Sequence, residues 1–134
     1  MLNPPHILVV DDEPAFLETT VELLSMEGFR AFGARSGCEA LRLLLQPDHD
    51  KVDVFLIDYR MPGMNGGETL REIRAAGISG CAILVSAAAD IARIATQFGF
   101  DGVLQKPCDL DEMLQAILRH CGRAERALPT QSTP

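Results

Sequence analysis

A small set of polar residues stands directly after short apolar runs. Asp11, Asp12 and Glu13 follow the run 7–10, Asp58 follows 54–57, Ser86 follows 82–85 and Lys106 follows 102–105. Brought to one place, three aspartates repel one another and raise their own pKa values unless a cation compensates them. A hard divalent ion meets that need, and oxygen ligands that leave room for water favour Mg²⁺, an ion that works with phosphate oxygens. Lys106, one of only two lysines in the chain with Lys51, adds a point charge. A carboxylate beside a metal, a lysine and a hydroxyl is equipped to accept a phosphoryl group, because an aspartate can act as nucleophile and form an acyl phosphate. Asp58 terminates the most apolar of the runs and is the candidate nucleophile, with Asp11 and Asp12 as a metal-binding pair. The metal and Lys106 would neutralise the equatorial oxygens during transfer, and Ser86 would donate a hydrogen bond to one of them. Each residue alone has a plainer explanation. The acidic pair before Pro14 could serve only as a helix cap, Asp58 as a turn residue, Ser86 as a strand-end polar group and Lys106 as a surface cation. The coincidence of four strand ends is what carries the chemical reading.

Those positions require particular elements. The runs 7–10, 54–57 and 82–85 are continuously apolar, the pattern of strands buried on both faces of a parallel sheet. Residues 29–33 carry Arg30 and read as an edge strand, and 102–105 as a short fifth strand. Segments of helical period alternate with them, so the spacing predicts five βα units with helices near 14–27, 36–46, 66–76, 90–98 and 110–121. Ser36 with Glu39, Asn65 with Glu68 and Asp109 with Glu112 have the spacing of capping boxes, and Pro14 suits a first helical turn. Leu110, Met113, Leu114, Ile117, Leu118 and Cys121 draw one apolar stripe, and Ile91, Ile94, Ala95 and Phe98 another. In an open sheet of this kind ligands bind beyond the carboxyl ends of the strands, where the candidate residues lie.

Composition narrows the class. The chain has 134 residues, 12 basic against 19 acidic for a formal charge of −7, 47% apolar and 23% charged residues. That suits a single globular domain, placed at 1–123 with a polar tail over 124–134. The apolar runs are far shorter than the ~20 residues that cross a bilayer, and the N-terminus has no basic and apolar leader pattern, so the expectation is a cytoplasmic protein with no membrane partner. The acidic balance and scattered basic residues, concentrated only at Arg119, Arg123 and Arg126, lead us to expect no direct nucleic-acid binding. Cys38, Cys81, Cys108 and Cys121 form no C-x-x-C pair and are expected to be reduced structural thiols.

With these residues in place the chain resembles the receiver domains of two-component response regulators, of the chemotaxis-regulator type, from about His6 to Cys121. The stretch Ile7-Leu8-Val9-Val10-Asp11-Asp12-Glu13-Pro14 resembles the family's acidic-pair segment. Asp58-Tyr59-Arg60-Met61-Pro62-Gly63-Met64-Asn65-Gly66 resembles its phospho-acceptor loop, and Ser86-Ala87 and Lys106-Pro107 complete the set. The resemblance implies a flavodoxin-like, doubly wound (βα)₅ α/β fold with strand order 2-1-3-4-5. It implies that Asp58 takes a phosphoryl group from a phosphohistidine of a sensor histidine kinase or phosphotransfer protein. It further implies that Asp12, Asp58 and the Arg60 backbone carbonyl bind Mg²⁺ directly while Asp11 helps through water, and that the peptide bond before Pro107 is cis. The product would be a switched surface on the fourth helix and fifth strand that engages a downstream protein, from a monomer or a phosphorylation-dependent dimer, in a phospho-acceptor that is not a turnover enzyme. One departure is plain: the position three before the lysine, usually aromatic in receivers, is Val103. Three alternatives stay in view. An aspartyl-nucleophile phosphatase would need a second acid where Arg60 stands, and an FMN binder would need a phosphate-cradling loop where Asp11, Asp12 and Glu13 stand. A receiver-like module that is never phosphorylated would keep the same residues.

Overall fold

The computed structural model describes residues 4–122. The polar tail expected over 124–134, with Arg123 and Arg126, lies outside the described residues. Strands and helices alternate: β1 His6–Val10, α1 Pro14–Met26, β2 Arg30–Ala34, α2 Gly37–Leu44, β3 Val54–Asp58, α3 Gly66–Ala75, β4 Cys81–Ser86, α4 Ile91–Phe98, β5 Gly102–Gln105 and α5 Leu110–His120. The five strands are parallel in the order β2-β1-β3-β4-β5, as the resemblance implied.

The continuous apolar runs follow from burial on two sides. Successive side chains of a strand point to opposite faces. Ile7, Val9, Leu56, Ile83 and Val85 therefore pack with Leu17, Leu24, Met113 and Ile117 of α1 and α5. Their neighbours Leu8, Val10, Phe55, Ile57 and Ala82 pack with Ala40, Leu70 and Ile73 of α2 and α3. Leu84 turns instead to Ile91, Ile94 and Ala95 of α4. β2, with exposed Arg30, forms one edge.

Local chemistry sets where the helices begin, next to the strand ends that matter. Asn65 and Asp109 make complete capping boxes with Glu68 and Glu112. At α2 the expectation holds only halfway: Ser36 accepts from the Glu39 N–H, but the Glu39 carboxylate accepts from the Arg35 N–H rather than from Ser36. α1 starts at Pro14, which has no N–H to satisfy. α3 begins hard against β3. The Gly66 N–H donates to the Tyr59 carbonyl at 2.8 Å, and a Cβ at Gly66 would lie 2.3 Å from the Asp58 carbonyl oxygen.

One expectation is corrected. Cys81 and Cys121 are not separate thiols but are joined by a disulfide with a Cα–Cα distance of 5.7 Å. The apolar stripe that makes Cys121 look like a small hydrophobe also carries it onto the first residue of β4, a contact between positions 40 apart that no local spacing signals. Cys38 and Cys108 are free thiols.

Among the described residues no helix is long and apolar enough to cross a membrane. The close approach at Gly66 yields a stability test. Gly66→Ala should lower the unfolding free energy by about 2 kcal/mol, because the atom it meets is backbone and cannot rotate away. Urea denaturation measures it, and an unchanged midpoint would show that α3 can slide off β3.

Candidate functional site

Asp11 lies one residue past β1 and Asp58 ends β3, and because β1 and β3 are adjacent and parallel their carboxylates meet at one edge of the sheet. Asp11 is 1% and Asp58 7% exposed. Such burial of two acids demands a counter-charge. Lys106, just past β5, supplies it: its Nζ lies 3.0 Å from Asp11 Oδ2 and 3.0 Å from Asp58 Oδ1. The ammonium also sits over the Phe16 ring, 4.4 Å from its centroid. Asp12 is exposed at the mouth, and one carboxylate oxygen from each of Asp11, Asp12 and Asp58 falls within a 4.8 Å cluster.

Each of these groups is held from behind. Asp11 Oδ1 accepts from the Glu13 N–H at 2.9 Å, so the acidic pair does take part in starting α1 while its other oxygen faces Lys106. The Lys106 N–H donates to the Ser86 carbonyl at 2.8 Å, tying the lysine to the end of β4. The Tyr59 N–H donates to the Val85 carbonyl at 3.0 Å, fixing the start of the loop after Asp58. Ser86 is buried, and its Oγ accepts from the Ala88 N–H at 3.0 Å, which leaves the hydroxyl proton available to donate. The Lys106–Pro107 bond is cis, as the resemblance implied.

The electrostatics follow from this packing. Burial pushes the Asp58 carboxyl above its ordinary value; the hydrogen bond from Lys106 opposes that, and the charges of Asp11 and Asp12 add to it. For Lys106, burial works against the ammonium, but the hydrogen bonds to Asp58 and Asp11 and their charges outweigh it and the net direction is upward. The pocket therefore keeps its cation and bears repulsion among its acids, a state that a further positive charge would relieve. Three carboxylates converging with room at an exposed mouth are the hard-oxygen donor set that Mg²⁺ prefers, so the residues present fit the ion.

Asp11, Asp12, Asp58 and Lys106, expected from sequence to share a site, thus come together, with Ser86 at the end of the adjoining strand. Arg60 lies on the rim, its side chain exposed beside a cleft of about 410 Å³ lined with Tyr59, Met61, Pro62 and Asn65. Across the mouth Asp90 is held below the usual carboxylate range, first by the hydrogen bond from Arg93 and with a smaller contribution from Arg60. Phe16 was missed by sequence reasoning; its only signal is an aromatic in the first turn of the helix that follows the acidic pair. Val103 occupies β5 among Leu84, Ala88, Tyr59, Phe98 and Phe100, so the aromatics of this face come from the loop after β3 and from α4 and its exit rather than from β5.

Comparison with known proteins agrees with this geometry. Residues 7–118 match the family model of the response regulator receiver domain. The chain is 38% identical over 117 residues to the transcriptional regulatory protein GlrR of Escherichia coli strain K12, covering 86% of this chain and 26% of that one. It is 35% identical over 130 residues to the transcriptional regulatory protein CpxR of Klebsiella pneumoniae, covering 94% of this chain and 54% of the relative. The crystal structure of the response regulator protein TrrA from Thermotoga maritima in complex with Mg²⁺-BeF superposes with a TM-score of 0.75 at 30% identity, covering 86% of this chain and 97% of that one. The chain thus spans between about a quarter and a half of the curated relatives' length. These relatives overturn the expectation of a partner set without nucleic acid, since both are transcriptional regulatory proteins. The physical reason is that an acidic surface reports only what that surface can bind, whereas in these regulators from nearly half to about three quarters of the chain lies outside the matched stretch. Doubly wound parallel fold, acidic pocket and matched sequence together establish that the chain belongs to the response regulator receiver domains of two-component phosphorelay signalling.

Proposed function

We propose that the acidic pocket receives a phosphoryl group on Asp58 from a phosphohistidine, carried by a sensor histidine kinase or a phosphotransfer protein, and that the acyl phosphate then alters a binding surface. The single observation that carries this reading is Lys106 Nζ at 3.0 Å from both Asp11 and Asp58, inside a group of three converging carboxylates. Asp58 supplies the attacking oxygen: its bond to phosphorus forms as the phosphorus–nitrogen bond breaks, and the imidazole leaves with the electron pair. The Lys106 ammonium, already in place beside Asp58 Oδ1, pairs with an equatorial oxygen of the transferring group. The Ser86 hydroxyl, its oxygen engaged by the Ala88 N–H, donates its proton to another. Asp11, Asp12, Asp58 and the Arg60 carbonyl would hold Mg²⁺, which supplies charge neutralisation at the phosphoryl oxygens when bound; the Mg²⁺-BeF complex of TrrA supports that assignment by likeness. Since Asp58 itself carries the product, the domain acts once per phosphorylation and not as a turnover enzyme. The surface most directly coupled to the site is that of α4 and β5, because Ser86 and Lys106 end the strands beside it and Val103 packs with Leu84, Ile91 and Ile94 beneath it.

Two measurements test the reading. Intact-protein mass after incubation with acetyl phosphate should rise by one phosphoryl group in the presence of Mg²⁺, stay unchanged with chelator, and stay unchanged in Asp58→Asn; uptake by that variant would move the acceptor elsewhere. The second is a stability profile. Because the folded protein raises the Asp58 carboxyl above its ordinary 3.8, the native state binds more protons than the unfolded state between that value and the native one, and stability falls as pH rises through this window. Asp58→Asn should therefore melt above the wild type at pH 7 without Mg²⁺, and the difference should close as the solution is acidified below the ordinary carboxylate value. Added Mg²⁺ should raise the wild type and leave the variant behind; a variant that follows the wild type under both changes would count against Asp58 as the strained, metal-facing acid.

A further inference from the structure

At the end of the sheet opposite the acidic pocket, Cys81 opens β4 and Cys121 caps α5, their sulfurs bonded across a sequence separation of 40. The five residue steps from Cys81 to Ser86 place this bond about 16 Å from the acidic site, at a rise of about 3.3 Å per residue. The Cα–Cα distance of 5.7 Å lies inside the range of about 4.4–6.8 Å that disulfides span, so the bond closes without displacing either backbone. Access to the two sulfurs is unequal. Both cysteines line an open cleft of about 320 Å³ with Lys51, Asp53, Asp101 and His120, but Cys81 is half-buried whereas Cys121 is only 5% exposed. The open form is also provided for: Cys81 Sγ lies 3.4 Å from the His120 carbonyl oxygen in the last turn of α5, so a reduced Cys81 thiol donates to a group already in position. Cys38 is exposed on α2, and burial together with the Glu112 charge pushes the Cys108 thiol up, away from its reactive form.

We propose that Cys81 and Cys121 are a reversible dithiol–disulfide pair, exchanged with low-molecular-weight thiols of the glutathione class, whose oxidised form fastens the end of α5 to β4 and whose reduced form releases it. In the reducing direction an incoming thiolate attacks the accessible Cys81 sulfur. The Cys81–Cys121 bond breaks, and Cys121 departs as a thiolate that takes a proton from water. A second thiolate attacks the small-molecule sulfur of the mixed disulfide, freeing Cys81 and forming the low-molecular-weight disulfide, so two electrons pass from the two small thiols to the protein. Oxidation reverses both steps. Met113, Ala116 and Ile117 keep the middle of α5 on the sheet in either state. The last turn depends on the bond, the Cys121 N–H to Ile117 carbonyl contact and the burial of Cys121. Cys121 stands three residues past the stretch that matches the receiver family, so the pair governs how firmly the chain is held where it leaves the shared domain. This device works independently of any phosphoryl chemistry.

The test uses the full chain and needs no variant to begin. Thiol alkylation followed by peptide mass mapping, after equilibration in buffers of varied reduced-to-oxidised glutathione ratio, should show a Cys81–Cys121 cross-link that opens in the most reducing buffers and closes again on return. Reduction should lower the melting temperature by on the order of 10 °C, the effect of losing a cross-link that closes a long loop, and should speed amide exchange in the last turn of α5. The Cys81→Ser, Cys121→Ala double variant should melt near the reduced wild type and not respond to glutathione. Four alkylated thiols in oxidised buffer, a cross-link through Cys38 or Cys108, a bond that stays closed in excess reduced glutathione, or opening that changes neither melting nor exchange would each overturn the proposal.

Discussion

The architecture turns on one electrostatic constraint, the need to place two buried carboxylates side by side at the ends of neighbouring parallel strands. Asp11 and Asp58 share one counter-charge in that position, Lys106, which stands between them at 3.0 Å from each. The lysine is in turn fixed by its main chain on the Ser86 carbonyl and by the Phe16 ring under its ammonium. One cation thus links β1, β3, the end of β4 and the first turn of α1. The balance is incomplete by design of the packing, since burial and the neighbouring acids still push the Asp58 carboxyl upward. A site in this condition gains from any further positive charge and, on the function proposed above, from a reaction that consumes the carboxylate.

The rest of the fold keeps that edge of the sheet open while burying everything behind it. Strands apolar on both faces require helices on both faces, and right-handed βα connections then put every helix start on the side where the strands end. The helix caps at Asn65 and Asp109 and the tight seat of Gly66 on the Asp58 carbonyl are local devices for starting a helix without crowding the pocket. At the other end of the sheet the crowding is relieved differently: Cys81 and Cys121 join the start of β4 to the end of α5 covalently, where the helix has only one buried turn left to hold it.

The apolar cluster around α4 has its aromatic contact on the side of α3. With Val103 in β5, the ring pair is formed by Tyr59 and Phe98, whose centroids are 6.4 Å apart, with Arg71 of α3 over the Phe98 ring. Tyr59 follows Asp58 directly in sequence, so this cluster is mechanically close to the site even though no phenol projects from β5. The correction on nucleic acid has a related lesson. The net charge of −7 led to the expectation of no nucleic-acid partner, and the relatives that share this domain, transcriptional regulatory proteins of which the chain spans about a quarter to a half, overturn it.

What was legible in the sequence was everything that depends on neighbours along the chain. The two-sided apolar runs announced a parallel α/β sheet, the Asn65–Glu68 and Asp109–Glu112 spacings announced two helix starts, and the polar residues after strand ends marked the edge at which the acidic cluster and Lys106 gather. Chain-local patterns could do this because hydrogen-bond satisfaction at helix starts and the alternation of strand faces repeat over a few residues. Other features were decided only by tertiary packing: the double engagement of Lys106, the ring of Phe16 beneath it, the transfer of Glu39 from Ser36 to Arg35, and above all the Cys81–Cys121 bond. Each joins groups whose proximity depends on where separate elements come to rest. No residue's chemistry or spacing encodes that proximity until the sheet has closed in the order 2-1-3-4-5 and brought distant strands edge to edge.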